Sequence, residues 1–190
     1  MLNYVWDFII FRKINGSFSG NALYLGQIAK EVNEMSINRV KAYFRELGIE
    51  DKVQELAESS ATVELAAQAL GVEPGCIAKT LSFMVDGSPI LIVAAGDVKI
   101  DNAKYKKFFG AKAKMLTPDE AVALIGHAVG GVCPFAVNDG VTVYLDESLK
   151  KFVTVFPACG SSNSAIELTM EELEKYSLYK EWVDVCKLKE

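Results

Sequence analysis

Two apolar runs joined by a tight-turn sequence constrain the fold of this chain most. Residues 77–85 and 89–95 are rich in aliphatic side chains, and the turn sequence Asp86-Gly87-Ser88 lies between them. An Asp-Gly pair between two apolar runs favours an antiparallel hairpin. One of the two strands is almost entirely apolar, which is typical of a strand that is buried on both faces. The sequence therefore predicts a hairpin at the centre of the core.

Helices and short strands alternate on both sides of this hairpin, without a regular βαβ repeat. Apolar spacing predicts helices over 37–47, 63–70, 102–109 and 118–125, and one that begins after Thr169. The predicted caps are Ser36, Thr62, Asp101 or Asn102, Thr117 and Thr169, and the predicted helix ends are Gly48, Gly71, Gly110 and Gly126. Further strands are predicted over 111–116, 141–145, 152–156 and 165–168, with a helical turn over 146–150. The mixture predicts an α/β fold of the α+β type, in which a mixed, largely antiparallel sheet curls toward a partial barrel surrounded by helices.

A boundary is predicted near Met35. The segment after it is an amphipathic helix that opens on Ser36 and would serve as a native start, so residues 1–34 are interpreted as an extension of unknown role and residues 35–190 as one domain. The alternative is that the first 34 residues are a packed helix and strand with no separate role. Because the apolar run at 4–11 is too short for a membrane helix and has no signal-peptide features, neither targeting nor a membrane partner is predicted.

Charge and cysteine content limit the function further. The chain has 20 Lys and Arg against 25 Asp and Glu, so its formal net charge is −5. This balance argues against a general nucleic-acid coat but leaves room for a local basic patch. The four cysteines are scattered and there is one histidine, so no metal-ligand spacing is present. We interpret the cysteines as reduced thiols of a cytoplasmic protein.

Residues 126–135 have the composition of a binding loop. The sequence there reads GHAVGGVCPF and follows a predicted helix. The glycine pair Gly130-Gly131 lets the backbone turn through positive φ and bring its N–H groups within hydrogen-bonding distance of a ligand oxygen. Pro134 restricts the end of the loop, as a preorganised oxyanion site requires. The alternative is a tight turn that only connects two elements.

Several segments together resemble the YbaK/EbsC family, the stand-alone relatives of the prolyl-tRNA synthetase editing domain. They are Ile77-Ala78-Lys79-Thr80-Leu81 after an Ala-rich helix, Gly96-Asp97 after the hairpin, GHAVGGVCPF, Tyr144-Leu145-Asp146 and Cys159-Gly160-Ser161-Ser162. Their order and spacing match the family over residues 35–176. The resemblance implies an enzyme that hydrolyses, in trans, the ester between a wrong amino acid and a tRNA, typically the proline tRNA. It also implies the aminoacylated acceptor end of tRNA as a partner, prolyl-tRNA synthetase as a candidate partner, and neither a metal nor an organic cofactor.

The resemblance gives Lys79 and the glycine loop the central roles. It implies that Lys79 holds the terminal adenosine phosphate or the aminoacyl group and that the loop positions the ester. The expected catalytic set is Lys79, Gly130, Gly131, Cys133 and Pro134. The residues themselves agree, because an ammonium in an apolar strand is costly unless it reaches a cleft and meets an anion, although a surface salt bridge at the strand edge is the alternative. Ester hydrolysis builds negative charge on the carbonyl oxygen, which loop amides can stabilise.

A second group of residues is expected to bind substrate, and for several of them a structural role is open. The group is Thr80, His127, Val132, Asp146, Gly160, Ser161 and Ser162. His127 is either a general base or a cap for the last carbonyls of the preceding helix, and we favour a positioning role. Asp146 is either a site residue or the cap of a helical turn, and Ser161 and Ser162 either line the amino-acid pocket or cap a turn.

A lysine-rich strip offers a route to tRNA binding despite the acidic balance. Six lysines lie between residues 99 and 114, with Tyr105 and Phe108 among them and Asp101 as the only acid. Lysine contacts to phosphates give salt-dependent affinity, and an exposed aromatic ring can stack on an unpaired base. We expect Lys104, Lys106 and Lys107 to contact the acceptor stem. The alternative is an ordinary solvated helix face.

Two other functions compete with the deacylase interpretation. A module of the same fold could bind tRNA ends or a nucleotide without hydrolysing anything. A thiol enzyme could use Cys133 as its nucleophile, although many proteins of the similar family carry serine there, which argues against a thioester path. Hydrolysis of a mischarged tRNA distinguishes the deacylase from the binding module. Loss of all turnover on replacement of Cys133 distinguishes the thiol enzyme from the deacylase.

Overall fold

The computed structural model describes residues 22–57 and 60–189 of the chain, with side chains from residue 31 onward. The helices are α1 (Ala22–Glu46), α2 (Val63–Leu70), α3 (Asn102–Phe109), α4 (Pro118–Glu120), which continues as a π-helical turn (Ala121–Ile125), and α5 (Met170–Ser177). The strands are β1 (Val53–Glu55), β2 (Ile77–Val85), β3 (Ser88–Ala95), β4 (Val98–Ile100), β5 (Thr142–Asp146), β6 (Thr154–Pro157), β7 (Ser164–Ile166), β8 (Leu168–Thr169), β9 (Glu181–Val183) and β10 (Cys186–Leu188). Short 3-10 turns cover Glu50–Lys52, Pro74–Cys76 and Glu147–Lys151.

The predicted hairpin is the centre of the sheet. Strands β2 and β3 pair antiparallel around a two-residue turn in which Asp86 and Gly87 both have positive φ, 48° and 79°, as a type I′ turn requires. The six-stranded sheet has the order β8-β6-β2-β3-β5-β9 and is strongly curled. Of the seven pairings between described strands, four are antiparallel and three are parallel. The predicted mixed α/β fold is confirmed.

The core lies on both faces of β3, as the apolar run predicts. Residues 91–95 of this strand have no exposed surface. On one side, α2 packs its small residues Ala66 and Ala67 against Ile77 and Phe156. From α1, Phe44 packs its ring against Phe135, which follows the glycine loop, with 4.9 Å between ring centroids. The helices therefore hold the sheet and the loop as one packed unit.

Most of the predicted helix ends are confirmed by the cap geometry. Thr62 and Asp101 accept hydrogen bonds from backbone N–H groups at the starts of α2 and α3. Thr117 and Thr169 form complete capping boxes with Glu120 and Glu172 at the starts of α4 and α5. Helix ends follow at Gly71, Gly110 and Gly126, each with left-handed backbone geometry.

The first helix is longer than predicted. It begins at Ala22 instead of residue 37, so Ser36 lies inside α1, is buried and does not cap it. The physical reason is that residues 22–35 contain many strong helix formers and no proline, so nothing stops the helix before Ser36. The predicted extension includes residues 1–21, which lie outside the described residues, and its separate role stays a prediction.

The strand prediction was wrong in two respects. Residues 111–116 form only a single bridge, between Met115 and Phe83, flanked by backbone hydrogen bonds to β2, and not a strand. Strands β1, β4, β9 and β10 were missed, because each has three residues and three residues do not show a period of two. Strand β10 pairs with β4, which brings the C-terminal segment beside the turn after β3.

Candidate functional site

The glycine loop (residues 126–135) is held by hydrogen bonds within itself. The N–H of Gly131 donates to the carbonyl of Ala128 at 3.0 Å, and the N–H of Cys133 donates to Nδ1 of His127 at 3.3 Å. Cys133, Pro134 and Phe135 are buried behind the loop. Val129 at its tip is 61% exposed. The loop therefore exposes its tip at Val129, whereas His127, Ala128 and its second half are anchored in the core.

Both glycines of the pair are required by the geometry. Gly130 has φ +94°, a conformation that side chains with a Cβ rarely adopt. A Cβ at Gly131 would lie 2.6 Å from the carbonyl carbon and oxygen of Gly160 and 2.7 Å from the N atom of Ser161. A Cβ at Gly130 would lie 3.3 Å from the Cβ of Ser162. The predicted loop and the predicted segment 160–162 are thus in direct backbone contact.

The loop amides without an acceptor among the described residues include the two that flank Gly131. The N–H groups of Gly131 and Cys133 are used inside the loop, whereas those of Gly130 and Val132 have no acceptor among the described residues. Backbone N–H groups are obligatory donors, and nearly all of them find an acceptor in the protein or in solvent. An oxyanion site needs free amides that point at one oxygen atom, and for Gly130 and Val132 this convergence stays a prediction.

Cys133 and His127 lie under the loop and carry no charge at neutral pH. Both side chains are completely buried, and Sγ of Cys133 is 3.6 Å from Nδ1 of His127. Burial raises the pKa of Cys133 to about 12, and burial together with the nearby Arg39 lowers the pKa of His127 to about 3. The capping alternative for His127 is not supported, because its Nδ1 accepts from the N–H of Cys133 and its Nε2 has no hydrogen-bond partner in the described part of the chain; the favoured positioning role stays a prediction.

Lys79 lies in β2 and reaches the turn between β3 and β4. Its Nζ donates to the carbonyl of Gly96 at 3.2 Å and to the carbonyl of Val98. Burial, with a smaller effect from Lys189, lowers the pKa of Lys79 to about 8. The lysine is thus in no surface salt bridge among the described residues. Both of its hydrogen-bond acceptors there are neutral carbonyls, and its contact with an anion of the substrate stays a prediction.

The start of α2 lies between Lys79 and the glycine loop. A Cβ at Gly96, whose carbonyl binds Lys79, would lie 2.5 Å from Cγ1 of Val63. A Cβ at Gly130 would lie 3.5 Å from the Cβ of Ala61. Lys79 and the loop therefore border the same short segment, but no hydrogen bond between described residues joins them. Their convergence on one substrate stays a prediction.

Two of the expected substrate-binding residues, Asp146 and Ser161, use their polar groups within the fold, and a third, Thr80, does not. Asp146 is buried, its Oδ1 accepts from the N–H of Ser148 at 3.0 Å, and its Oδ2 accepts from the N–H of Val185 at 3.0 Å. The substrate-binding interpretation of Asp146 is therefore not supported, and the capping alternative is correct. Thr80 has a buried hydroxyl without a hydrogen-bond partner among the described residues. Ser161 is also buried, and its hydroxyl joins a turn network.

The serine segment divides into a structural residue and an accessible one. Oγ of Ser161 lies 2.8 Å from Oγ of Ser164 and 3.0 Å from Oδ1 of Asn163, which is the turn alternative. Ser162 is half-buried and its side chain faces Gly130. Its carbonyl accepts from the N–H and the hydroxyl of Ser60, which fixes its position. Ser162 thus remains a candidate for contact with substrate beside the glycine pair.

The lysine strip is only partly free for a ligand. Nζ of Lys104 donates to Oδ1 of Asp184 at 2.6 Å and to the carbonyl of Cys186 at 3.0 Å, so this lysine holds the C-terminal segment. Lys106 and Lys107 are exposed, and neither has an ion-pair partner among the described residues. Tyr105 is completely buried and cannot stack on a base, whereas Phe108 is 44% exposed.

Sequence reasoning missed Arg39. This residue of α1 lies under the loop, where it donates to Asn138 and to the carbonyl of Ile125. The spacing of apolar residues identifies the buried face of the helix but does not show that an arginine next to that face reaches a loop 86 or more residues away.

Within the described ranges, no cluster of residues suits a metal ion, and no helix is long and apolar enough to cross a membrane.

Comparison with known proteins identifies relatives of this chain. Residues 57–176 match the family model described as the aminoacyl-tRNA editing domain. The chain is 55% identical to the protein YwhH of Bacillus subtilis (strain 168) over 154 residues, which cover 80% of this chain and 98% of that protein. It is 25% identical over 158 residues to the proline–tRNA ligase of Streptococcus equi subsp. equi, of which it spans only 25%.

A solved structure supports the same relationship. A crystal structure provisionally described as a trans-editing enzyme for prolyl tRNA synthetase superposes with a TM-score of 0.73 at 32% identity. The match covers 80% of this chain and 97% of that one. The sequence and the backbone thus agree on the same set of relatives.

Proposed function

Because the chain belongs to the family of aminoacyl-tRNA editing domains, we propose that it is a deacylase that hydrolyses, in trans, the ester of a mischarged tRNA. The proline tRNA is the proposed substrate, since one group of relatives consists of proline–tRNA ligases. The observation that carries the proposal is the pair of unpaired loop amides, at Gly130 and Val132, beside an exposed loop tip.

The loop amides stabilise the charge that forms during the reaction. When a water oxygen attacks the ester, the carbonyl oxygen becomes negative, and the N–H groups of Gly130 and Val132 donate to it. One such donor in an oxyanion site contributes on the order of 3 kcal/mol to the rate. The leaving group is the terminal ribose hydroxyl of the tRNA, which takes up a proton as the ester carbon–oxygen bond breaks.

The attacking group in this proposal is a water molecule. The Cys133 thiol is buried and its pKa is raised to about 12, so very little thiolate exists at neutral pH. His127 is also buried, and it uses Nδ1 to hold the loop. A bound water is therefore the proposed nucleophile, and the free ribose hydroxyl of the substrate is proposed to orient it, because direct attack by that hydroxyl would only move the acyl group between ribose oxygens. The loop supplies position and charge stabilisation.

Lys79 supplies the positive charge of the site. Its ammonium is half-buried and donates to two carbonyls, which fix its position. Because these acceptors are neutral, they do not cancel its positive charge. A partly desolvated ammonium attracts a phosphate or a carbonyl oxygen more strongly than a fully hydrated one does. We assign to Lys79 the binding of the terminal adenosine phosphate or of the aminoacyl group.

The decisive experiment measures release of labelled amino acid from mischarged proline tRNA. Alanine, cysteine, serine and threonine esters are tested, because pockets of slightly different volume distinguish such substrates by only about 1–3 kcal/mol. Wild-type protein is expected to release the label from at least one ester, and Lys79→Met is expected to stop the release. Wild-type protein that binds the tRNA but releases nothing would contradict the proposal and favour the tRNA-end or nucleotide-binding module.

The proposed contact with the acceptor stem is tested separately. A Lys106→Ala/Lys107→Ala double variant is expected to bind tRNA more weakly and with a shallower salt dependence, since each phosphate contact contributes to that slope. The matched control is Lys180→Ala, which removes an exposed lysine outside the strip. An equal loss of binding free energy per lysine removed in the control and the double variant would show that only overall charge matters.

A further inference from the structure

The base of the glycine loop is closed by one arginine. Nη1 of Arg39 donates to Oδ1 of Asn138 at 3.0 Å, and Nη2 donates to the carbonyl of Ile125 at 3.4 Å. Ile125 is the last residue before the loop region, and Asn138 lies three residues after its end. The two ends of the segment are thus held by the two arms of a single guanidinium.

Asn138 completes this closure. Its N–H donates to the same carbonyl of Ile125 at 3.0 Å, and its Nδ2 donates to the carbonyl of Ala123 at 3.2 Å. The segment from Gly126 to Val137 therefore leaves and returns at one point. A planar guanidinium offers a rigid fork of donors, which suits a contact to two acceptors better than an ammonium does.

The absence of a side chain at Gly126 leaves room for the guanidinium of Arg39. A Cβ at Gly126 would lie 2.3 Å from Nη2 and 2.9 Å from Nη1 of Arg39. Burial lowers the pKa of Arg39, and no ion pair with a carboxylate neutralises it among the described residues. An arginine remains protonated in spite of such a shift. Arg39 is exposed overall, but its guanidinium lies against the base of the loop, close enough to lower the pKa of His127.

We propose that Arg39 is a positioning residue for the glycine loop, which it holds by a forked contact to Ile125 and Asn138 so that the free amides converge on one point. We call this forked contact the clamp. Its catalytic consequence rests on the proposed function, whereas the existence of the clamp does not. Arg39 lies outside residues 57–176, the part that matches the family model, so the device adds the first helix to the functional unit.

The clamp predicts a separation between kcat and KM. Without the fork, the loop ends are free to shift, and a displacement of about 1 Å at a reacting centre can cost 10²-fold in rate. Arg39→Met is therefore expected to lower kcat about 10- to 100-fold while KM changes less than about threefold. Arg39→Lys is expected to recover part of the loss, because an ammonium can bind one end of the loop. Arg45→Met is the matched control, since Arg45 of the same helix is exposed and pairs with Glu50.

Hydrogen exchange tests the clamp independently of activity. The amides of Gly131 and Cys133, which bond inside the loop, are expected to exchange at least tenfold faster in Arg39→Met, with exchange in β3 unchanged. If Arg39→Met fails to fold, Asn138→Ala removes the same clamp from the other side and is expected to give the same increase. Unchanged exchange in both variants, or wild-type kcat in Arg39→Met, would overturn the proposal. Wild-type protein without deacylase activity would refute the proposed function and leave the exchange result to decide the clamp.

Discussion

Replacing Gly131 with alanine places a methyl group in a backbone contact that has no room for one. The new Cβ would lie 2.6 Å from the carbonyl carbon and oxygen of Gly160, whereas ordinary contact begins at 3.4 Å, so the two segments must separate by about 0.8 Å. Backbone atoms cannot rotate away as a flexible side chain can. Overpacking of this kind costs about 1–3 kcal/mol in the free energy of unfolding, or roughly 2–4 °C in Tm for each kcal/mol in a chain of this size.

The same displacement predicts a large loss of activity. A shift of nearly 1 Å moves the Gly130 and Val132 amides away from the reacting oxygen, for which we expect about a 10²-fold lower kcat. The assay is release of labelled amino acid from mischarged tRNA under saturating conditions, with thermal unfolding measured on the same preparations. The thermal measurement shows how much of the protein is folded at the assay temperature, so a loss of kcat can be separated from a loss of folded protein.

Gly140→Ala is the control for a purely structural cost. Gly140 has φ +83°, and a methyl group on its Cα would meet nothing within 4 Å, so alanine there introduces backbone strain without crowding the loop. It is expected to lower Tm and leave kcat unchanged. A Gly131→Ala enzyme with wild-type kcat would refute the assignment of the loop amides to the reaction, whatever its stability.

Three further predictions follow from the charged and buried groups. Activity is expected to fall as the pH rises through about 8, where Lys79 loses its proton. Because its pKa in the folded state lies below the unfolded value of 10.5, the unfolded chain binds more protons between pH 8 and 10.5, so the contribution of Lys79 to the free energy of unfolding increases with pH across this range and is kept above it. Denaturation curves are expected to show this increase in the wild type relative to Lys79→Met. Asp146→Ala is expected to lower the free energy of unfolding by about 2–4 kcal/mol in chemical denaturation, because the amides of Ser148 and Val185 lose their acceptor. Cys133→Ser is expected to keep kcat within a few-fold of wild type, and complete loss of turnover in a folded variant would favour the thiol enzyme.

Local signals were sufficient for the elements that depend on neighbours in sequence. The Asp86-Gly87 turn, the threonine caps and the helix-ending glycines each act over a few residues, so their positions can be predicted from the sequence. The first helix was placed too late because Ser36 looks like a cap, and only the tertiary contacts show that it is buried inside the helix. A capping residue is a local preference that a continuous helix can override.

Contacts between distant segments could not be predicted in the same way. Lys79 in an apolar strand indicates a functional or buried lysine, but the sequence does not show that the carbonyls of Gly96 and Val98 accept from it. Asp146 is suited by its residue type to either a site or a cap, and its contact with Val185 exists only because the C-terminal segment returns to the sheet. The sequence thus identified the residues of interest, while the fold decides which of them are free to meet a ligand.

The surroundings of Lys79 show why the editing segment depends on chain outside residues 57–176. The carbonyls that bind its ammonium flank Asp97, and the carbonyl of Asp97 accepts from the N–H of Lys189 at 2.9 Å. Strand β10 pairs with β4 directly after this turn, and Lys104 and Asp146 hold the segment that leads into β10. The C-terminal segment therefore fixes the turn that positions Lys79, just as Arg39 of the first helix fixes the glycine loop. Each half of the proposed site is held in place by an element outside the matched segment, because the turn after β3 and the glycine loop lie outside the six-stranded sheet and take their geometry from these contacts.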